Sequence, residues 1–246
     1  MNLCVVIAAL FVSSFADPSP SILSGDEAFF KIDYSSAIAV YETGLRQWPD
    51  DPHLLWRLAR ACVCMGEVAP ANDRDMLFQK AERYALRCII ADSTRPEGHT
   101  WRAAALGYIA LHAGMKDQVR LSRELVKETD IALALNPRDD AAYSIRGSFY
   151  RALGNVGWLQ RQLAAIFVGS VPDGGFEQSE DALKQAIAIA PEVMRHHYEL
   201  AVLYIDWGRR EEARAFLQHA ATLPVRVAID RERLEKIREL LATNQE

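Results

Sequence analysis

The sequence has 246 residues, of which 50% are hydrophobic and 25% are charged, and its formal net charge is −5 at pH 7. This composition is typical of a folded globular protein. The mild acidity, and the lack of a basic run interleaved with aromatic residues, argue against a nucleic-acid partner.

The first sixteen residues have the pattern of an export signal. An apolar run from Leu3 to Val12 precedes Ser14 and Ala16, small residues of the kind that signal peptidases accept. The run is short for a transmembrane helix, which needs about 20 apolar residues. We therefore expect a signal peptide over residues 1–16, a single domain over residues 17–246, and a periplasmic or secreted protein. No Lys or Arg precedes the run, so a cytoplasmic or membrane-anchored protein is the alternative.

A helix pair is predicted first, over residues 25–49. Ala37, Tyr41 and Gly44 are spaced by four and three residues, which places them on one helical face. Pro49 ends this helix, and Gly25 lets a preceding helix cross it closely. Two helices followed by a proline are the layout of a tetratricopeptide repeat.

The same layout returns four more times. On each first helix a small residue is followed seven residues later by a glycine, and we expect that glycine to end the helix in the left-handed conformation. These pairs are Ala59 and Gly66, Gly107 and Gly114, Gly147 and Gly154, and Ala201 and Gly208. The sequence therefore predicts an all-α tetratricopeptide-repeat superhelix, an α-solenoid of about five helix pairs.

Four segments depart from the regular pattern. We predict a stretched loop over residues 66–76, and a second helix of repeat three that starts early. Helical spacing of apolar residues after Gly154 predicts an inserted helix in repeat four, which carries Trp158. A C-terminal capping helix is predicted from an apolar face backed by charges. That face comprises Leu234, Ile237, Leu240 and Leu241.

The repeat template also assigns side chains to the concave groove formed by the first helices. The predicted groove is apolar and aromatic with two arginines, a surface that suits an extended peptide or a partner helix. An enclosed groove would suit an acyl chain, with an arginine binding its carboxylate or phosphate. The alternative is that these aromatics pack as core against the inserted helix. The candidate residues are Phe29, Phe30, Trp56, Arg60, Tyr108, Leu111, Ser148, Arg151, Tyr198, Val202 and Trp158.

No motif for catalysis, a metal or a cofactor is recognisable. Adjacent His196 and His197 point about 100° apart on a helix and cannot bind one metal together. In the template Cys62 and Cys88 lie roughly 10 Å apart, which is too far for a disulfide, so we expect buried thiols. We therefore predict no enzymatic activity, no cofactor and no metal site.

Four segments carry a resemblance to a known family. HTWRAAALGYIALHAG, NPRDDAAYSIRGSFYRALGN, WLQRQLAAIFVGSVP and AIAPEVMRHHYELAVLYIDWGRREEARAFLQHAATLPV resemble, in that order, the tetratricopeptide domain of the regulator of microtubule dynamics family. The resemblance runs from about Tyr34 to Leu241 and is most specific around Trp158. It implies an all-helical adaptor without a known catalytic centre. Animal members are associated with microtubules and organelle membranes, and the domain has been implicated in lipid binding.

These observations predict a non-enzymatic adaptor that binds a protein or peptide in its concave groove. The alternative is a carrier or sensor of a lipid-like apolar ligand held in the same groove. Contact with a membrane is left open. An exported protein would not meet tubulin, so the family's association with microtubules is not transferred to this chain.

Overall fold

A computed structural model describes residues 18–157 and 172–243, which are entirely helical apart from turns and connections. Eleven helices follow one another in this part of the chain. They are α1 Ser19–Phe30, α2 Tyr34–Gln47, α3 Pro52–Val68, α4 Ala71–Ala91, α5 Pro96–Leu111, α6 Met115–Leu135, α7 Asp140–Gly154, α8 Phe176–Ile189, α9 Met194–Asp206, α10 Arg210–Ala220 and α11 Asp230–Thr243.

The helices pack as five consecutive pairs, α1 with α2 through to α9 with α10, and α11 packs on α9 and α10. The first helices of the pairs also contact one another in succession, α3 with α5, α5 with α7 and α7 with α9. They form the inner layer of the molecule, and the second helices lie outside it. This is the predicted tetratricopeptide-repeat superhelix.

Local sequence fixes where several helices begin. The carboxylates of Asp33, Asp51 and Asp139 precede α2, α3 and α7 and accept hydrogen bonds from backbone N–H groups in the first turn. Such a bond satisfies one of the donors that a helix start leaves unpaired. Pro52 and Pro96 occupy the first position of α3 and α5, where the missing N–H costs nothing.

The loop predicted over residues 66–76 is wrong, because α3 continues through Gly66 and only residues 69–70 separate it from α4. A Cβ atom at Gly66 would lie 2.6 Å from Cε1 of Phe78, so the glycine permits a close helix crossing. Gly154 does the same for Phe176, at 2.3 Å from Cδ1. Of the four glycines expected to be left-handed, only Gly208 is, with φ 80°. Gly66 and Gly154 are required by close helix packing, and Gly114 is the residue that precedes the first turn of α6.

The other irregular segments have mixed outcomes. The early start of α6 is confirmed. The cap is also confirmed, since α11 buries Ile237 completely and packs Leu234 and Leu241 on the C-terminal core. The proposed signal peptide and the inserted helix with Trp158 lie outside the described residues. None of the described helices is both long and apolar enough to cross a bilayer.

Candidate functional site: the concave groove and its C-terminal strap

The inner faces of the first helices converge on a crevice of about 260 Å³. Its walls are charged and phenolic, which corrects the apolar, aromatic groove expected from the sequence. The inner helices contribute Glu67, Tyr108, Arg151, Tyr198 and Glu199, and the C-terminal segment contributes Ile229, Glu232, Arg233 and Lys236.

Glu67 is the central acidic group of this crevice, and its side chain is only 5% exposed. The Tyr108 hydroxyl donates a hydrogen bond to its carboxylate. Two guanidinium groups lie within ion-pair distance of the same oxygen, Arg195 at 3.7 Å and Arg233 at 3.6 Å. Burial and the neighbouring Glu67 charge raise the pKa of Tyr108, which therefore stays a neutral donor. Its ring stacks on Phe78 at a centroid distance of 4.3 Å.

Arg151 forms the far wall and ties α7 to α9. Its guanidinium donates to Asp206 Oδ2 at 2.9 Å and to Glu199 Oε2 at 3.5 Å. The Asn155 amide donates to the same Asp206 oxygen at 2.7 Å. Ser148, another predicted groove residue, donates to the carbonyl oxygen of Ser144 within its own helix. Tyr198 and Val202 of α9 are half-buried.

The N-terminal end of the groove holds a packed arginine. The guanidinium of Arg60 lies 3.8 Å from the ring centroid of Phe29 and 4.9 Å from that of Trp56. It also donates to Asp26 Oδ1 at 3.1 Å. Asp26 additionally accepts bonds from Arg57 and from the Tyr41 hydroxyl.

The groove predictions for Phe29, Phe30 and Leu111 have different outcomes. Phe29 is 5% exposed and belongs to the core, so its assignment to the groove surface is wrong. Phe30 and Leu111 are 70% and 68% exposed and lie on the surface.

Sequence reasoning missed one feature, a strap over residues 224–229 that joins α10 to α11 across the groove. The backbone N–H of Ala228 donates to the Tyr34 hydroxyl at 2.9 Å, and Val227 and Ala228 pack against the N-terminal core. Asp230 Oδ2 accepts from the backbone N–H groups of Arg226 and Val227 at 3.0 and 3.1 Å. We call residues 224–229 the C-terminal strap.

The inner helices also carry buried polar atoms that lack a hydrogen-bond partner among the described residues. Four of them are tryptophan or arginine N–H donors, Trp56 Nε1, Arg60 Nε, Arg151 Nε and Arg195 Nε. The others on these helices are Glu97 Oε2, Ser144 Oγ, His196 Nδ1 and His197 Nδ1. A buried donor left without an acceptor costs about 1–3 kcal/mol of stability, so each of these atoms calls for a structural or functional explanation.

The described residues contain no group of three His, Cys, Asp or Glu side chains that could hold a metal ion. His196 and His197 turn to different partners, the Asp140 carboxylate and the Pro191 carbonyl. Cys62 and Cys88 are free and buried, as predicted, and Cys64 is also free and buried. The absence of enzymatic activity stays a prediction.

The family model described as "Regulator of microtubule dynamics protein 1-3" matches residues 24–245. The chain belongs to this family. Regulator of microtubule dynamics protein 2 of Mus musculus is 21% identical over 199 residues, which cover 80% of the chain and 48% of that protein. Protein 3 of Xenopus laevis is 26% identical over 199 residues, covering 80% of the chain and 43% of that protein. The chain thus spans about half the length of these relatives.

Among solved structures, the chain is similar to a thermophilic TPR protein of Thermus thermophilus. The two share 20% sequence identity with a TM-score of 0.69, over 92% of this chain and all of that one. At this identity the similarity establishes the tetratricopeptide fold alone. It agrees with the helix pairs and inner layer described above.

Proposed function

We propose that the chain is a non-enzymatic adaptor that binds a segment of a partner protein along its concave face. The observation that carries this proposal is the set of unpartnered buried donors on the inner helices, at Trp56, Arg60, Arg151 and Arg195. They belong to three different repeats, so a ligand that pairs with several of them has to be elongated and has to shift the side chains that cover these atoms. A polypeptide segment supplies carbonyl or carboxylate acceptors at regular intervals along its length.

The charges of the crevice favour a peptide over a purely anionic or purely apolar ligand. Arg151 and Arg233 face the same space as Glu67 and Glu199. Such a surface pairs with a segment that carries both acceptors and donors, because each uncompensated charge would be costly to bury. The inner layer of a repeat superhelix also offers a long, rigid surface, which lowers the entropy lost on binding.

Crosslinking pull-downs with groove variants test the proposal. We expect Trp56→Ala with Arg60→Ala, and separately Arg151→Ala with Arg195→Ala, to lose the same partners at least about tenfold, which corresponds to about 1.4 kcal/mol. Arg120→Ala is the matched control, because Arg120 pairs with Asp117 and Glu124 on the exposed face of α6. Unchanged capture by both groove variants, with folding intact, would contradict the adaptor.

The lipid carrier is the alternative, and no described contact favours it. The crevice is small, and its lining is mainly charged or phenolic. Mass spectrometry of organic extracts from the purified protein tests it directly. A stoichiometric lipid that is lost in Arg151→Ala with Arg195→Ala would replace the adaptor by the carrier. Export is a separate proposal, supported if the mature protein starts at Asp17.

A further inference from the structure

We propose that the C-terminal strap is a built-in occupant of the groove, and that the partner segment binds by displacing it. This inference rests on the proposed function of the groove and adds its regulation and the chemistry of the partner. The strap already fills part of the groove with contacts of the kind that an external segment would make, while it leaves the buried donors of the inner helices unpaired. It places a backbone N–H on Tyr34, apolar side chains on the N-terminal core, and, just beyond it, Arg233 beside Glu67.

The contacts of the strap divide into two kinds. Those from Asp230 to the backbone of Arg226 and Val227 are local and travel with the segment. Two polar contacts join the segment to the N-terminal half, Ala228 N–H to Tyr34 and Arg233 to Glu67. Displacement therefore breaks these two contacts and the half-buried packing of Val227 and Ala228, and it unwinds the first turn of α11, residues 230–233, which carries Arg233. The bond from Arg233 to Asp230 Oδ1 at 2.7 Å is local and travels with that turn.

The remainder of the C-terminal region can stay in place. Ile237 is fully buried in the C-terminal core, and Leu234 and Leu241 pack against the same core. These residues anchor α11 from Leu234 onward to α9 and α10. The strap is irregular backbone and the first turn of α11 is a helix end, so both can leave the groove while the repeat pairs keep their packing.

The Glu67 carboxylate keeps a charged partner when the strap leaves. Removing one partner of a buried ion pair is costly when the other charge is left alone. Here Arg195 of α9 lies 3.7 Å from the same carboxylate oxygen, and the Tyr108 hydroxyl donates to it. Both groups belong to the inner helices and remain. An arginine of the partner can therefore take the place of Arg233 at Glu67, and the Glu67 charge is paired throughout.

The same contacts define the partner that fits. It is a segment that offers two small or β-branched apolar residues with a free backbone N–H, followed within about two helical turns by an arginine. The apolar pair replaces Val227 and Ala228 on the N-terminal core, and the arginine replaces Arg233 at Glu67.

The test uses a fluorescent synthetic peptide of residues 224–237, PVRVAIDRERLEKI, added to the full chain. In the chain variant Ala228→Pro with Arg233→Gln, the strap lacks both joining contacts. We expect fluorescence anisotropy to show at least roughly tenfold tighter peptide binding to this variant than to the wild type, because a docked strap lowers the competent fraction. The same peptide carrying R233Q should bind more weakly to that variant.

Controls separate this result from misfolding. Arg226→Gln is matched to Arg233→Gln, since Arg226 pairs with the exposed Glu192, and its chain should bind the peptide as the wild type does. If the double variant fails to fold, Ala228→Pro alone replaces it in the binding test, because Ala228 lies outside any helix. Equal peptide binding to the wild type and to a folded strap variant, or none to either, would overturn the inference.

Two further outcomes are informative. If groove variants lose partners in the pull-down but strap variants do not gain peptide binding, the adaptor stands and the strap is not its regulator. If strap variants gain peptide binding but groove variants keep all their partners, the strap is displaceable and the adaptor function fails. If the wild type is a dimer and the Ala228→Pro variant is a monomer, the occupant of the groove is the strap of a second copy. That result would overturn the proposed partner.

Discussion

The backbone N–H of Ala228 donates a hydrogen bond of 2.9 Å to the hydroxyl of Tyr34, across 194 positions of sequence. Tyr34 opens the second helix of the first repeat, and Ala228 follows the last repeat. The Tyr34 ring is buried, with its centroid 5.3 Å from that of Phe29. This bond therefore links the two ends of the superhelix, and the ion pairs of Glu67 with Arg195 and Arg233 also join repeats that are not neighbours.

Removing the hydroxyl in Tyr34→Phe should loosen the strap while preserving the ring packing. We expect the free energy of unfolding to fall by about 1 kcal/mol, because the Ala228 N–H loses its acceptor. The amide of Ala228 should then exchange with deuterium faster, whereas amides of α9 should not change. Hydrogen exchange with fragment-resolved mass spectrometry measures both.

Tyr84→Phe is the matched control for this change. Tyr84 also donates across helices, to Glu42 Oε1 at 2.8 Å, but it lies on α4 in the outer layer. Its loss should leave exchange in residues 224–229 unaltered. Equal protection of the strap in Tyr34→Phe and the wild type would show that the hydrogen bond does not hold it.

Two glycines at equivalent repeat positions should respond oppositely to alanine. At Gly147 a Cβ atom would lie 2.5 Å from Cγ of Leu183, the branch carbon of a fully buried side chain. Gly147→Ala should therefore destabilise the protein by about 1–3 kcal/mol. At Gly107 the nearest atom is a Leu125 methyl at 3.3 Å, which can move, and alanine gains up to about 1 kcal/mol of helix propensity. Urea unfolding of both variants measures the difference, and equal destabilisation would contradict the packing argument.

The glycines also show how far the sequence could predict the fold. Periodic small residues and closing prolines report local geometry, so the five pairs and most helix starts could be predicted. The role of Gly66 could not, because its conformation is ordinary helix and its requirement comes from the ring of Phe78 on the next helix. A glycine at a helix end and a glycine at a crossing look alike in one sequence.

The groove was predicted less well than the scaffold for a related reason. The template placed Tyr108, Arg151 and Tyr198 at the crevice, where the structure has them. It could not place Arg233, because the charged side of a capping helix normally faces solvent. Arg233 pairs with Asp230 of its own helix at 2.7 Å and with Glu67 at 3.6 Å, and Glu67 belongs to the second repeat and has no periodic relation to it.

The buried pair of His99 and Glu128 should make stability depend on pH. His99 Nδ1 lies 2.5 Å from Glu128 Oε2, and both side chains are about 5% exposed. Burial lowers the pKa of His99, but the Glu128 carboxylate outweighs it, and the net pKa is raised above its ordinary 6.5. Burial raises the pKa of Glu128, but His99 and Arg102 outweigh it, and the net pKa lies below 4.5.

The sign of the effect follows from these two directions. The His99 contribution is complete below about pH 6.5 and is lost as pH rises through the raised pKa of the folded state. The Glu128 contribution is complete above about pH 4.5 and is lost as pH falls through its lowered pKa. The pair therefore stabilises most between these values.

His99→Gln should cost about 1 kcal/mol more near pH 5.5 than near pH 9, as expected when a charge-assisted bond becomes a neutral one. Denaturant unfolding at the two pH values measures this difference. In the control His112→Gln the lost partner is Asp75, and both side chains of that pair are 59% exposed. Its effect should be small at either pH. A cost of His99→Gln that is independent of pH would contradict the charged pair.

The three described thiols should be unreactive until the protein unfolds. Burial raises the pKa of Cys62 and Cys88 to about 12, and it also raises the pKa of Cys64. Since the thiolate is the nucleophile, alkylation near pH 8 should be roughly a thousandfold slower than for an exposed thiol, with steric burial slowing it further. Iodoacetamide labelling resolved by peptide mass spectrometry measures each site, and labelling in guanidinium is the control. Cys62 and Cys64 lie in α3, and Cys88 lies in α4. Fast native labelling of all three thiols would mean that this repeat opens. Fast labelling of Cys88 alone would confine the opening to the contact of its thiol with the Pro52 carbonyl.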